Sequence, residues 1–459
     1  MIRLYLDSDV INNIHAGRLP ELAEFIENNR HRLLIAYSQA HVDDKLPSKG
    51  VAADKFWKDI DFLSSISNNK MLFFDHKKKY TIPCVVDARK VLEEVEDSNE
   101  LIEKFSNIDN IIQFMEETSE ELDVPELGRM FKSLFDSPAL NAIAPDWMQG
   151  ETYKDQLQKA ADYMSGLRNN PTAYKENQDL VRLQYSLPDY AGQWTENVVD
   201  KIDIHLKSKE ENQDFFALVD MAFADKDKIT RFSYYTTAYQ VLNMIGYKSD
   251  EIKPKKNKGL LNHIQDAMHS FYGAHCDYFV VMDKKLSAKS HALYEKFGIA
   301  TKLINPKDLV LQLAESCSDE DMSIIVSRVL NQEPVDVMVE DDVLKRLYRI
   351  NGHWLDYFTH VQFEQDSANG VSTFLFLKMS ETYSNIMFYD EHDRIIEAVH
   401  EVLGIGLHEE TVIQKFRTAE PDDRFVEYFL PNGYVRLFTD GAKFFLRVSV
   451  VGTENERGL

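Results

Sequence analysis

The strongest constraint on this chain is where its short apolar runs fall. "IRLYL" (2–6), "RLLIAYS" (32–38) and "NKMLFFD" (69–75) have strand length and are rich in aliphatic and aromatic residues. They alternate with segments whose apolar residues recur at helical spacing, such as "LPELAEFIENN" (19–29). The pattern returns far downstream, where "CDYFVVMD" (276–283) and "TKLINPKDLV" (301–310) read as strands around the helical "SAKSHALYEKFG" (287–298). Strands alternating with helices predict an α/β unit with a mainly parallel sheet. Between about 85 and 270 the pattern changes to long acidic helices, among them "DARKVLEEVEDSNELIEKFSNIDNIIQFMEETSEEL" and "YKDQLQKAADYMSGLRNN". We read a helical insertion at about 85–260, so the two halves of one sheet come from 1–84 and roughly 271–316.

With 459 residues the chain exceeds one ordinary core. Residues 319–459 read as a separate, smaller α+β accessory domain after a first domain of 1–318. Helices are expected near 319–331 and 391–404. Antiparallel strands are expected at "STFLFLKM", "YSNIMFYD", "DRFVEYFL", "YVRLFTD" and "AKFFLRVSVV", with an Asn-Gly hairpin turn in "LPNGYV" (430–435). This second unit could also mediate self-association or bind a protein partner.

No run of 18 apolar residues occurs and no signal-type segment opens the chain, so a soluble cytoplasmic protein without membrane contact is expected. Cys84, Cys276 and Cys317 lack the spacing of a zinc site and the even number of a disulfide framework, and read as reduced thiols. The net charge of −24 opposes nonspecific attraction to phosphate backbones, and more than half of it lies in 319–459. Nucleic-acid chemistry would therefore rest on local basic patches or metal ions. Two basic stretches stand out, "HKKKY" (76–80) and "KPKKNKG" (253–259). In the second, Lys255, Lys256 and Lys258 precede the helix "LNHIQDAMHSFYGAH" and could bring phosphates towards its acid.

Aspartates mark the ends of the predicted strands. Asp7 ends the first, Asp43 and Asp44 follow the second, Asp266 lies in the helix just named, and Asp277 and Asp283 flank "YFVVM". Open parallel sheets bind ligands beyond the carboxyl ends of their strands, where Asp7 and Asp283 are expected. Clustered carboxylates are the ligands that suit Mg²⁺ or Mn²⁺. Asp9 reads as the N-cap of a helix beginning at Val10. Asp43 and Asp44 project about 100° apart on a helix, so only one can face a site. His41 and His269, the latter one turn from Asp266, read as packing or surface residues rather than zinc ligands.

These segments resemble the PIN-domain nucleases. "LYLDSDVI" looks like that family's opening strand, "IAYSQAHVDDKL" like its second strand and helix, and "IQDAMHSFYGAHCDYFVVMDKKLSAKSHALYEKFGIATKLINPKDLV" like its closing segment. The resemblance covers 1–84 and 260–316. It departs from the family pattern in having Asp at the second acid, Val281 two before Asp283, and a long insertion.

The resemblance implies a PIN-like sheet and a metal site of Asp7, Asp44, Asp266 and Asp283, with Asp277 as an additional or substitute ligand. It further implies Mg²⁺- or Mn²⁺-dependent phosphodiester hydrolysis, expected on RNA before DNA, and by analogy a toxin or antiviral defence setting. The alternatives are an inactive PIN-like scaffold for RNA or protein and a structure-selective DNA nuclease.

Overall fold

The computed structural model describes residues 1–46, 49, 52–94, 154–156, 158–159, 178–179, 182, 185–209, 213–223, 229–249, 260–314, 320–340, 343–366, 370–379, 388–403, 409–420, 423–430, 432–440 and 443–451. The first three apolar runs form β1 (Ile2–Leu6), β2 (Leu33–Ser38) and β3 (Lys70–Asp75). They pair in parallel, with Leu4 opposite Ile35 and Tyr37 opposite Met71. On the other side of β1 lies β5 (Tyr278–Val280), also parallel, with Leu6 opposite Val280. Beyond it runs β6 (Lys302–Ile304). An antiparallel edge strand, β4 (Tyr80–Val85), completes the order β4-β3-β2-β1-β5-β6. The chain is thus α/β with a mixed, mainly parallel sheet whose central strands come from both ends of its first 310 residues.

Alternation within β1 explains why both faces are covered. Ile2, Leu4 and Leu6 enter one apolar cluster and Tyr5 the other, because successive side chains leave opposite faces. The first cluster is filled by α1 (Ser8–His15), α2 (Pro20–Asn28), α4 (Ala53–Ser67) and α10 (Pro306–Ala314), with α3 (Gln39–Asp43) after β2. The opposite face carries α5 (Val198–Lys209), α6 (Phe215–Asp220), α7 (Arg231–Met244), α8 (Leu260–Gly273) and α9 (Lys284–Phe297). The described part of the expected insertion therefore supplies a helical layer over the sheet. Gly273 lets α8 lie against β5: a Cβ there would stand 2.7 Å from Cγ of Phe279.

A second sheet is antiparallel throughout, in the order β11-β12-β13-β10-β9-β8-β7. Its strands are β7 (Asp336–Glu340), β8 (Val343–Trp354), β9 (Phe358–Asp366), β10 (Val371–Leu377), β11 (Phe425–Leu430), β12 (Gly433–Asp440) and β13 (Lys443–Val451). One face packs on α11 (Met322–Leu330), α12 (Tyr389–Leu403) and α13 (Glu409–Thr418) through Trp354, Phe376, Ile395, Val399 and Phe416.

Several expectations change. "TKLINPKDLV" is a strand only to Ile304, because Pro306, which lacks an N–H for a sheet, opens α10. The "YSNIMFYD" strand is not what its last two residues form, since Tyr389 and Asp390 begin α12; residues 383–387 lie outside the described residues. Helix α1 starts at Ser8, so Asp9 is an exposed first-turn residue rather than an N-cap. Strands β4, β7, β8 and β9 were not expected. Gly433 lies inside β12 against Leu430, and a Cβ on it would stand 1.9 Å from the Ser449 carbonyl oxygen.

The two sheets meet through ion pairs, among them one buried and one partly buried. Arg3 of β1 places Nε 2.8 and 2.9 Å from the Glu391 carboxylate, and Arg32 pairs with Asp356 at 3.0 Å. No helix among the described residues is long and apolar enough to cross a membrane.

Candidate functional site

At the carboxyl end of β1 the chain turns into α1 at Asp7, whose backbone N–H donates to the Val280 carbonyl at 2.9 Å. The turn leaves the carboxyl only 5% exposed. Burial, with Asp9 and Asp44 adding negative charge, raises it to about 6 although His269 pulls the other way. A carboxylate in that state is under-compensated: the fold has taken it from water without supplying enough positive charge.

His269 is the centre of the site. It lies on α8, buried, with Nε2 2.9 Å from Oδ2 of Asp44 and 3.2 Å from Oγ of Ser8. Its Nδ1 is 2.9 Å from the Tyr5 hydroxyl, which in turn is 2.6 Å from Oγ of Ser38. Burial lowers the basicity of the imidazole, but the bond and charge of Asp44, then Asp7 and Asp266, outweigh it and raise its pKa. Asp44 is lowered because the same bond overcomes its own desolvation. Asp44 and His269 therefore form a carboxylate–imidazolium pair, with Nε2–H donating to the carboxylate.

A second histidine behaves oppositely. His41 donates from Nε2 to the Leu6 carbonyl at 2.8 Å and accepts at Nδ1 from the Ser38 N–H at 3.1 Å. Burial and then the charge of His269 lower it to about 3, so it stays neutral and serves as a brace between β1 and β2.

Asp44 bonds His269 directly, and the charges of Asp7 and Asp266 also act on that imidazole. Of the adjacent pair it is Asp44 that reaches His269, while Asp43 acts on Tyr272. Asp283 stands three residues beyond Val280, the partner of Leu6, at the same end of the sheet. Its carboxylate caps α9, accepting from the N–H groups of Lys285 at 2.6 Å and Leu286 at 3.0 Å. It opens onto a cavity of about 520 Å³ lined by Trp194, Tyr247, Lys248 and His291.

Asp277 does not belong with them. It precedes β5 at the amino end of the sheet, where it accepts from the Arg3 backbone N–H at 2.8 Å and pairs with Lys378 at 2.7 Å. Burial alone would raise its carboxyl, but Lys378, His353 and Arg3 hold it far below the ordinary carboxylate range. Its role is to tie the first sheet to the second, and we correct its assignment as an additional ligand. Lys255, Lys256 and Lys258 lie outside the described residues.

Mg²⁺ and Mn²⁺ favour hard oxygen donors, and Asp7, Asp44 and Asp266 supply only carboxylates. The under-compensated Asp7 fits such a cation in kind. In arrangement, among the described residues, no group of three or more His, Cys, Asp or Glu side chains is poised to hold a metal ion. The imidazolium of His269 stands amid the acids and supplies part of the positive charge.

Sequence reasoning undervalued His269, Ser8, Tyr5 and Ser38. The available signal was the Asp266–His269 spacing, which puts both on one helix face, together with Tyr5, which with Arg3 is one of two polar-tipped residues in a buried strand. Comparisons with protein-family models, with curated proteins and with solved structures returned no match to this chain.

Proposed function

We propose that this chain is a divalent-metal-dependent nuclease of the PIN-like type, acting on RNA before DNA. One observation carries the reading: beyond the carboxyl ends of β1 and β2, Asp44 bonds the buried His269, on which the charges of Asp7 and of Asp266 from α8 also act, and burial leaves Asp7 a carboxylate short of positive charge. That is where open parallel sheets place their ligands. Asp7, Asp44 and Asp266 are the carboxylates that would have to converge to hold Mg²⁺ or Mn²⁺, since among the described residues no three such groups are poised for one ion and Asp283 is engaged in capping α9. A bound ion would neutralise phosphate charge and make a nearby water more acidic.

The chain's own groups do the rest. His269, oriented by Tyr5 on one nitrogen and Asp44 on the other, holds a proton at Nε2 beside the acids, where a leaving oxygen could take it. Ser8 fixes Asp44 and the ring together. The cavity at Asp283 has an aromatic wall at Trp194 and Tyr247 and a cation at Lys248, a combination suited to a nucleotide and its phosphate.

A second reading has its own observation. Because His269 already pairs with Asp44 amid the acids, the site also suits a scaffold that has exchanged a metal for an imidazolium. Labelled RNA and DNA incubated with Mn²⁺, Mg²⁺ or EDTA, beside Asp7→Asn and Asp44→Asn, separate the two. Cleavage that needs metal and is lost in both variants supports the nuclease. Cleavage that survives both substitutions sinks the site, and absence of cleavage on every substrate favours the scaffold.

A further inference from the structure

At the opposite, amino end of the first sheet a cavity of about 540 Å³ lies between β5–β6 and the β8–β9 pair of the second sheet. Its walls carry Lys302 from β6 and Arg349 and His360, which face each other across β8 and β9. The one carboxylate on the wall, Asp277, is already taken by Lys378 and the Arg3 N–H. Among the described residues, neither Lys302 nor Arg349 is paired with an acid: Lys302 lies over the Tyr278 ring at 5.9 Å, and its neighbour in charge is Arg349. Burial and then Arg349 lower the Lys302 ammonium, and the same two causes lower His360 to about 4. Two cations that repel one another on the wall of one cavity, with the local acid already spent elsewhere, are a site in want of an anion. The volume falls within the roughly 300–1,000 Å³ usual for small-molecule sites.

We infer that this cavity binds a small phosphorylated ligand of mononucleotide size, with Lys302 and Arg349 on its phosphate and the ligand bridging the two sheets. The site is distinct from the acids at the other end of the strands, so its test is separate from that of the nuclease reading. Calorimetric titration of the full chain in EDTA, which removes any metal-dependent binding at the acids, would use AMP, inorganic phosphate and adenosine.

AMP is expected to bind, adenosine not, and phosphate more weakly than AMP. Arg349→Gln and Lys302→Gln should each weaken AMP at least tenfold, Arg349→Lys should restore part of it, and Asp7→Asn should leave it unchanged. Both cations are exposed on the cavity wall, so melting curves should show the variants folded. No binding of AMP or phosphate by the wild type would overturn the proposal. So would AMP affinity untouched by both Gln substitutions, or affinity lost in Asp7→Asn.

Discussion

Replacing Asp7 by Asn should make the protein more stable at neutral pH while abolishing the proposed nuclease activity. The Asp7 carboxyl is moved from its ordinary 3.8 to about 6, chiefly by burial. In an unfolded chain the group ionises near the ordinary value, so folding takes up a proton between the two values. Stability from this group is intact below about 4, falls as the pH rises, and is lost once the pH passes about 6. At roughly 1.4 kcal/mol per tenfold change, the penalty at pH 7.5 is about 3 kcal/mol, of which relaxation around the site should leave about 1–3 kcal/mol. Asn keeps the shape and cannot ionise. Urea denaturation in EDTA at pH 4, 5, 6 and 7.5 should give similar wild-type and Asp7→Asn stabilities at pH 4 and a gap in favour of the variant that opens by pH 7.5. A variant that is less stable at pH 7.5, or a gap that does not change with pH, would refute the claim that Asp7 is an under-compensated buried acid.

Three further outcomes follow from the same geometry. Asp44→Asn removes the strongest cause raising His269, so the imidazole should titrate lower by NMR. The stability that wild type loses as pH rises above the usual histidine value should vanish with it, and an unchanged His269 titration would contradict the pair. Lys378→Met leaves Asp277 and Glu391 buried with less counter-charge and should cost about 3–5 kcal/mol in chemical denaturation; a cost under about 1 kcal/mol would mean the ion pairs do not hold the sheets together. Gly273→Ala forces a methyl into the Phe279 ring and should cost about 1–3 kcal/mol while shifting the His269 resonance, since α8 must move away from β5. A neutral, unshifted variant would show that the close approach of α8 is unimportant.

What was legible in the sequence was set by local pattern. Strands β1, β2 and β3 announce themselves because a sheet buried on both faces draws runs dominated by apolar residues, and Asp7 stands out as the acid that ends one. Strands β7, β8 and β9 were hidden because one face of the second sheet is open to solvent, so "DVMVE" and "VLKRLYRINGHW" carry charges at strand positions. The site was half legible. Asp277 and Asp283 flank the same strand and look alike in sequence, yet one faces the amino end of the sheet, where Lys378 lies about 100 residues downstream, and the other the carboxyl end. Only the position of the second sheet separates them. His269 was undervalued for a related reason. A histidine on an amphipathic helix is ordinarily a packing residue, and its partners Tyr5, Ser8 and Asp44 come from the first 44 residues of the chain.

The central claim is that the acids around His269 take up a divalent cation, and Mn²⁺ binding tests it without requiring the right RNA. Electron paramagnetic resonance of free Mn²⁺, titrated with the full chain at pH 7.5, should show at least one ion bound by the wild type and that ion lost in Asp7→Asn. Binding unchanged by Asp7→Asn, or no binding by the wild type at millimolar Mn²⁺, would contradict it.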